Sequence, residues 1–278
     1  MTHPILINRN GHKTWLKWHR GRRRASDPVF TGERIIEAMR LGASIEVDLV
    51  IHADHGCAVL HDRTLGRETT GTGRVRDTSA AALRELHLRD NDGQPIVSKV
   101  MLLEDLCALL ADDAVHPDAL LQLDFKENRQ ALAPQVVAGF GMSVSPIAKS
   151  LILSGGDFDA ITTLAGSAPG LRTGYDPCHR TTLAELQANG HYLDFIKNAL
   201  ATAPDAGIIY LAYEIVLAAE DAGVDIVAPV HAAGRRVDAW TINRVTPQST
   251  DAVERLLRLK VDQITTDDPE GLAEVFSK

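Results

Sequence analysis

The sequence predicts a single (β/α)₈ barrel spanning residues 1–278. Short apolar runs alternate with helix-like patterns from one end of the chain to the other, which is typical of βα units joined into a parallel sheet. Eight segments have the composition of strands, and 278 residues is an ordinary length for one such barrel. The sequence contains no linker, low-complexity tract or internal repeat that would divide it, so we expect one domain.

The elements are predicted from hydrophobic periodicity and from residues that end or begin helices. Strands are predicted at residues 15–19, 44–51, 119–126, 150–154, 171–175, 207–212, 237–242 and 263–266. Helices are predicted at 33–41, 79–87, 101–111, 128–139, 157–166, 181–187, 191–202, 214–222 and 248–259. Gly42 is a natural stop for the first helix, and acidic residues followed by Pro269 predict the start of a last helix. A turn at 54–56, a return strand at 58–60 and a polar active-face loop at 63–78 complete the prediction.

The composition indicates a soluble globular protein, with 45% hydrophobic and 24% charged residues. A formal net charge of −8 argues against binding to nucleic acid or to anionic membranes. No run approaches membrane-spanning length, and the first ten residues lack the apolar core of a signal peptide. The three widely spaced cysteines Cys57, Cys107 and Cys178 favour free thiols. We therefore expect a cytoplasmic protein without a stable membrane association; the sequence leaves its oligomeric state open.

Two carboxylates, Glu46 and Asp48, lie two positions apart in the predicted strand 44–51. Alternate side chains of a strand point to the same face, so these two carboxylates emerge together. They repel each other unless a shared proton or a cation lies between them, and a hard divalent cation with oxygen ligands is the usual solution. His19, at the end of the preceding strand, adds a base beside this position. The pattern therefore indicates metal-assisted chemistry.

Further polar side chains lie late in other predicted strands, where a barrel collects its functional groups. Asp124 and Lys126 repeat the two-residue spacing. Asp124 would complete a three-carboxylate metal site and Lys126 would hold a phosphate oxygen; the alternative is an internal ion pair lining the barrel. Trp240 lies late in the seventh strand, where it either belongs to the barrel core or packs against a substrate's carbon skeleton.

His19 and His61 are candidates for the acid and base of one reaction. Each lies near the predicted barrel mouth and is followed by a polar residue, Arg20 or Asp62. Arg20 also begins an arginine-rich run that continues through residues 22–24. Such a run is usually a solvated loop, but on the active face of an acidic protein it would attract an anionic substrate. Arg20 is the member of the run that we expect to contact substrate.

Taken in order, six segments resemble the glycerophosphodiester phosphodiesterase family, which shares its barrel and site with the sphingomyelinase D-type toxins. The matching segments are 19–21 (His-Arg-Gly), 42–48, 61–62 with 69–73, 122–126, 240–243 and 266–269. His-Arg-Gly alone is close to noise. Six segments in the family's order, covering nearly the whole chain, identify the resemblance.

The resemblance implies a metal-dependent phosphodiesterase in which His19 and His61 are the acid/base pair. It makes Glu46, Asp48 and Asp124 the ligands of one divalent cation, Mg²⁺ or Ca²⁺, with Mn²⁺ also acceptable. Arg20 and Lys126 would contact the phosphate, with Trp240 as a further substrate-binding residue. In this family the attacking group is thought to be the substrate's own neighbouring hydroxyl, which gives a cyclic phosphate that water then opens. Two alternatives stay open: a lyase-like enzyme that stops at the cyclic phosphate, and a binding barrel without catalysis, which the two histidines disfavour.

The expected substrate is a small soluble phosphodiester whose alcohol is glycerol or a sugar. Residues 22–28 replace the segment that usually follows His-Arg-Gly in the family, and their guanidinium groups suit an oxygenated or anionic alcohol. Aromatic residues are only 5% of the chain, and no exposed aromatic-rich stretch suits an acyl tail. An agrocinopine-type sugar phosphodiester is therefore an alternative to the ordinary glycerophosphodiesters.

Overall fold

The computed structural model describes residues 5–276. Residues 1–4 and residues 277 and 278 lie outside the described residues. The first four belong to the stretch considered for a signal peptide, and both groups belong to the ends of the domain predicted for 1–278. The strands of the described part are β1 (Leu6–Arg9), β2 (His12–Trp18), β3 (Ser44–Ile51), β4 (Cys57–Val59), β5 (His87–Arg89), β6 (Pro95–Lys99), β7 (Leu120–Phe125), β8 (Leu151–Ser154), β9 (Arg172–Tyr175), β10 (Ile208–Ala212), β11 (Arg236–Ile242) and β12 (Gln263–Thr266).

Helices separate most of these strands. They are α1 (Gly32–Leu41), α2 (Ala80–Glu85), α3 (Leu103–Ala111), α4 (Pro134–Val144), α5 (Phe158–Ala165), α6 (Thr182–Asn189), α7 (Tyr192–Thr202), α8 (Tyr213–Asp221), α9 (Val227–Ala232), α10 (Pro247–Arg258) and α11 (Pro269–Phe276). Gly42 ends α1 in the left-handed conformation, with φ of 81°, as its sequence position predicted. Asp268 begins α11, because its side chain accepts a hydrogen bond from the backbone N–H of Gly271 at 2.8 Å.

Within residues 5–276, eight parallel strands close into a barrel, so the predicted fold class is confirmed. The order around the barrel is β2, β12, β11, β10, β9, β8, β7, β3, and the pairing of β3 with β2 closes it. β1 pairs with β2 and β4 pairs with β3, both antiparallel. No helix in the described part of the chain is long and apolar enough to cross a membrane.

On β7 the barrel interior changes from apolar to polar along the strand. Near the beginning of the strands, Leu120, Ile152 and Ile208 pack together with Tyr210. Gln122 and Asp124 lie two and four residues after Leu120, on the same face of β7. The helices cover the other face of the strands with a second, larger apolar core. Because strands of a parallel barrel end at the same rim, this layering brings the polar side chains together at the C-terminal face.

The register of the sheet brings the predicted site residues together. Asp48 on β3 lies directly beside Asp124 on β7, and Glu46 lies beside Gln122. On the other side of β7, Asp124 lies beside Ser154 of β8. The predicted two-residue spacing of carboxylates on β3 therefore becomes a cluster spread over neighbouring strands.

Several predicted boundaries are wrong. The helix predicted for 128–139 begins only at Pro134, after a 3₁₀ turn at Arg129–Ala131, because the residue before a proline is disfavoured in the helical conformation. The first strand ends at Trp18 rather than at His19, and Lys126 follows β7 instead of ending it. The prediction also omitted β1, the β5–β6 hairpin and α9, which are too short for a clear periodic signal.

Candidate active site

A cavity of about 310 Å³ opens among the C-terminal ends of the barrel strands. All eight residues predicted for the site line it, namely His19, Arg20, Glu46, Asp48, His61, Asp124, Lys126 and Trp240. The structure therefore brings the predicted residues together; their individual roles stay predictions.

The carboxylates of Glu46, Asp48 and Asp124 converge in this cavity. Each offers an oxygen atom, and these oxygens lie within 4.8 Å of one another. Glu46 and Asp48 are buried on β3, whereas Asp124 on β7 is half-buried. Three carboxylate oxygens at this spacing are a donor set for a hard divalent cation.

Two cationic side chains balance part of this negative charge. Lys126 Nζ lies 2.7 Å from Asp48 Oδ1 and also forms an ion pair with Asp124. Arg20 Nε lies 3.1 Å from Asp48 Oδ2. The internal ion pair considered for Asp124 and Lys126 is thus present, and Lys126 lines the cavity as well. The two interpretations of Lys126 are therefore compatible.

The pKa values of the two carboxyl groups on β3 move in opposite directions. Burial, reinforced by the negative charge of Asp48, raises the pKa of Glu46 well above its usual range. Burial would also raise the pKa of Asp48, but the charges of Lys126 and Arg20 outweigh it and hold this pKa below its usual range. Asp48 is therefore the firmly ionised member of the pair.

A strained turn places His19 and Arg20 at the rim. His19–Gly21 forms one 3₁₀ turn in which Arg20 adopts the left-handed conformation, with φ of 53°. The backbone N–H of Arg20 donates to Glu46 Oε2 at 2.9 Å, and its carbonyl accepts from Phe30 N–H at 2.9 Å. Gly21 also has a positive φ, and a Cβ there would lie 3.3 Å from Ile35 Cγ1. These contacts fix the loop that follows β2 against the first metal-ligand candidate.

Asp267 orients His19, which the sequence did not reveal. His19 Nδ1 lies 2.7 Å from Asp267 Oδ1. This contact engages Nδ1, so Nε2 is the ring nitrogen that Asp267 does not contact. Burial lowers the pKa of His19, and the positive charge of Arg20 lowers it further. The hydrogen bond with Asp267 raises it but does not cancel these effects, so the pKa lies below its usual value. The sequence analysis placed Asp267 in the matching segment 266–269 and in the acidic start of α11 but gave it no role, because no local pattern links it to His19.

His61 is held in a similar manner. Its Nδ1 lies 2.8 Å from Asp62 Oδ1, as the adjacent positions of these residues allowed. Glu68, which the sequence analysis missed, accepts hydrogen bonds from the backbone N–H groups of His61 and Asp62, each at 3.0 Å. Arg67 donates to Asp62 and, with the ring of His61, lowers the pKa of that carboxyl to about 2. Both histidines are thus positioned by carboxylates.

Besides the predicted Trp240, the opposite wall of the cavity carries polar groups that the sequence analysis missed, Tyr210, Asp176 and Glu214. Tyr210 Oη and Trp240 Nε1 are buried atoms without a hydrogen-bond partner among the described residues. Asp176 and Glu214 line the same wall, and burial raises the pKa of Asp176 to about 7. These groups are available for hydrogen bonds to a bound molecule.

The arginine-rich run does not line the cavity beyond Arg20. Arg23 forms ion pairs with Glu37 and Glu270, and Arg24 forms ion pairs with Asp268, Glu270 and Glu274. Arg22 Nη1 lies 3.0 Å from Asp267 Oδ1. The prediction that this loop borders the pocket and offers its guanidinium groups to the substrate is therefore wrong for Arg23 and Arg24. Their partners come from α1 and α11, which are distant in sequence.

Paired histidines, converging carboxylates and basic groups at the mouth of a (β/α)₈ barrel define an enzyme built to act on an anionic substrate. The sequence model of the Glycerophosphoryl diester phosphodiesterase family matches residues 19–271. The chain therefore belongs to this family and is a phosphoric diester hydrolase, as the resemblance implied.

Individual phosphodiesterases are also similar to this chain in sequence or in structure. A glycerophosphodiester phosphodiesterase of Caldanaerobacter subterraneus subsp. tengcongensis is 24% identical over 278 residues, covering 96% of this chain and 99% of the relative. A glycerophosphoryl diester phosphodiesterase from Parabacteroides distasonis superposes with a TM-score of 0.64 at 19% identity, covering 100% of this chain and 88% of that one. An Oleispira antarctica phosphodiesterase, solved with its product sn-glycerol-3-phosphate, has a TM-score of 0.66 at 18% identity and covers 95% and 96% of the two chains.

Replacing Asp267 by Asn is expected to move the titration of His19 to lower pH. The carboxylate stabilises the charged imidazolium, so its loss leaves burial and Arg20, which favour the neutral ring, opposed only by the smaller effect of Asp48. Side-chain nitrogen NMR of His19 measures the midpoint. Asp262→Asn is the matched control, because Asp262 contacts His231, at 2.8 Å, and not His19. A His19 midpoint that stays fixed or rises in Asp267→Asn would contradict the assignment.

Replacing Arg23 and Arg24 together by Ala is expected to leave kcat/KM for every soluble phosphodiester within about twofold of the wild-type value. Both side chains are engaged in partly exposed ion pairs, which contribute little, so only a small loss of thermal stability is expected. Steady-state kinetics and thermal denaturation measure the two effects. A selective loss of activity towards sugar phosphodiesters would restore the loop to a role in recognition.

Proposed function

We propose that the protein is a divalent-metal-dependent phosphodiesterase that cleaves a small soluble glycerophosphodiester to an alcohol and a phosphomonoester. The observation that carries this proposal is the convergence of Glu46, Asp48 and Asp124 in one cavity with two carboxylate-positioned histidines. Membership of the phosphodiesterase family supports the reaction, and the geometry supports its metal dependence.

The three carboxylates fit a hard divalent cation such as Mg²⁺, Ca²⁺ or Mn²⁺. They supply oxygen ligands only, and Lys126 and Arg20 do not cover every oxygen of the cluster. When bound there, such a cation would polarise a phosphoryl oxygen and offset the charge that develops on it. No cysteine lines this cavity among the described residues, so softer ions have no sulfur ligand.

The side chains around the carboxylates provide the remaining chemistry. Arg20 and Lys126 present fixed positive charge to the phosphate from a partly buried position, which stabilises additional negative charge in the transition state. One histidine removes the proton of the attacking hydroxyl, and the other protonates the leaving alkoxide. Asp267 and Asp62 orient the two imidazoles for these transfers. An attack by the substrate's own hydroxyl would need no protein nucleophile and would form a cyclic phosphate first.

The far wall of the cavity supports an oxygenated alcohol such as glycerol. Tyr210 and Trp240 offer donors, and Asp176 and Glu214 offer carboxyl groups, over a cavity of about 310 Å³. The Oleispira antarctica relative binds sn-glycerol-3-phosphate, which is consistent with a glycerol-containing substrate. The sugar-phosphodiester alternative loses the support of Arg23 and Arg24, which face their own acidic partners.

The described cysteines support a reducing compartment and hence a cytoplasmic location. Cys57, Cys107 and Cys178 are all free thiols. Burial raises the pKa of Cys57 and that of Cys107 to about 12, so both thiols stay protonated and unreactive.

Removal of divalent cations is expected to abolish activity. Without a cation the carboxylates repel the phosphate that Arg20 and Lys126 attract. Glycerophosphocholine, glycerophosphoethanolamine, sugar phosphodiesters and lysophospholipids are assayed with and without EDTA, and Mg²⁺, Mn²⁺ or Ca²⁺ is then restored. Phosphorus NMR of the products separates full hydrolysis from a reaction that stops at the cyclic phosphate. Full activity after rigorous chelation would rule out the metal proposal.

His19→Ala and His61→Ala are each expected to lower kcat by roughly 10²–10⁴-fold, the usual contribution of general acid–base catalysis. Thermal stability should change little in His61→Ala, whose side chain is 35% exposed, and somewhat more in His19→Ala, whose side chain is 17% exposed and contacts Asp267. His231→Ala is the matched control, since His231 also contacts an aspartate, Asp262, but at the opposite end of the barrel. Near-wild-type turnover in either rim variant would remove that histidine from the mechanism.

A further inference from the structure

Lys17 is a buried lysine in the barrel interior, where it lines the cavity. It is 2% exposed, and its Nζ lies 2.9 Å from Asp238 Oδ2. Its Nζ also donates to Gln122 Oε1 and lies 4.4 Å from the centre of the Tyr210 ring. Asp238 is held in turn by Thr265 Oγ1, which donates to its other oxygen at 2.7 Å. The buried charge is therefore paired within its own chain.

These contacts already engage the charge of Lys17 within the protein. Its ammonium group donates a hydrogen bond to the amide oxygen of Gln122, forms an ion pair with Asp238 and lies over the face of the Tyr210 ring. Although Lys17 lines the cavity, it is not placed to contact a phosphate. Its effect on the reaction must pass through the residues that it holds.

Gln122 and Ser154 connect Lys17 to the metal-ligand candidate Asp124. Gln122 Nε2 donates to Ser154 Oγ at 2.8 Å, and Ser154 Oγ donates to Asp124 Oδ1 at 2.8 Å. Gln122 is 6% exposed and Ser154 is fully buried, so water does not compete for these bonds.

The direction of every bond in this chain follows from Lys17. Lysine can only donate, so Gln122 must turn its amide oxygen towards Lys17 and its NH₂ group towards Ser154. Ser154 accepts that bond and has one hydrogen left, which it can give only to Asp124. A neutral residue at position 17 would allow Gln122 to turn over and would leave the Ser154 hydroxyl free to point elsewhere.

We propose that Lys17, Gln122 and Ser154 form a one-way hydrogen-bond relay that positions Asp124 as a metal ligand. Ser154 fixes Oδ1 and Lys126 contacts Oδ2, so both oxygens of Asp124 are oriented while each retains a further lone pair. Lys17, Gln122 and Ser154 are positioning residues. The inference rests on the proposed metal dependence of the enzyme.

Ser154→Ala breaks the last bond of the relay and is the first test. The dissociation constant of Mn²⁺ is measured on the metal-free enzyme by electron paramagnetic resonance, independently of turnover. Loss of a hydrogen bond to a metal ligand typically weakens binding by about 10–100-fold, which is the expected result. Ser44→Ala is the matched control, because Gln263 Nε2 donates to Ser44 Oγ at 3.1 Å in a similar buried pair that does not reach Asp124. Its Mn²⁺ affinity should stay within about twofold of wild type.

Lys17→Met combined with Asp238→Asn tests the origin of the relay without changing net charge or leaving a buried charge unpaired. This double variant should also bind Mn²⁺ more weakly than wild type. In the Ser154→Ala background it should add no further loss, because the relay is already interrupted there. The double variant carries the test on its own if Ser154→Ala does not fold.

The outcomes separate the relay from the metal proposal. Weaker Mn²⁺ binding in the relay variants, with non-additive losses and an unchanged Ser44→Ala control, supports the relay. Wild-type affinity in Ser154→Ala, or losses that add, would overturn the relay alone. Failure of the wild-type enzyme to bind Mn²⁺, Mg²⁺ or Ca²⁺ would overturn the relay together with the metal proposal.

Discussion

The mutual repulsion of three carboxylates at the barrel mouth is the constraint on which the rest of the site depends. Glu46, Asp48 and Asp124 are brought together by strand register, so their closeness is a property of the sheet. Lys126 and Arg20 relieve part of the repulsion, and the backbone N–H of Arg20 relieves more by donating to Glu46. The left-handed turn at Arg20, which ordinarily costs on the order of 1–3 kcal/mol, persists because this electrostatic contact requires it.

The two sides of the cavity differ in how their polar groups are satisfied. On the carboxylate side, charged groups form ion pairs with each other, as in the contacts of Lys17 with Asp238 and of Lys126 with Asp48. On the opposite side, Tyr210 and Trp240 carry buried donors that lack partners among the described residues. The paired side suits the phosphate, whose chemistry is the same in every diester. The unpaired side suits the alcohol, which gains hydrogen bonds that the protein itself does not make.

The sequence predicted the barrel and all eight cavity-lining candidates because both depend on short-range patterns. The alternation of β3 and β7 determines which carboxylates face inward, and this alternation is visible without a structure. Asp267 and Glu68 were missed because their partners are chosen by tertiary contacts, and Lys17 because a lysine in a strand ordinarily indicates a solvent-facing position. The role given to Arg23 and Arg24 failed for the same reason: their acidic partners lie on distant helices. The helix expected at 128–139 was displaced by Pro134, a local effect that the sequence did contain.

The contact between His19 and Asp267 joins positions that are 248 residues apart. During synthesis, β12 is the last barrel strand to leave the ribosome, and it lies between β2 and β11. Until then both of those strands have an unpaired edge, and such edges are ready templates for pairing with other chains. A growing chain thus carries its three carboxylates long before it has an oriented His19. Two open sheet edges and an unoriented His19 therefore persist together until β12 emerges.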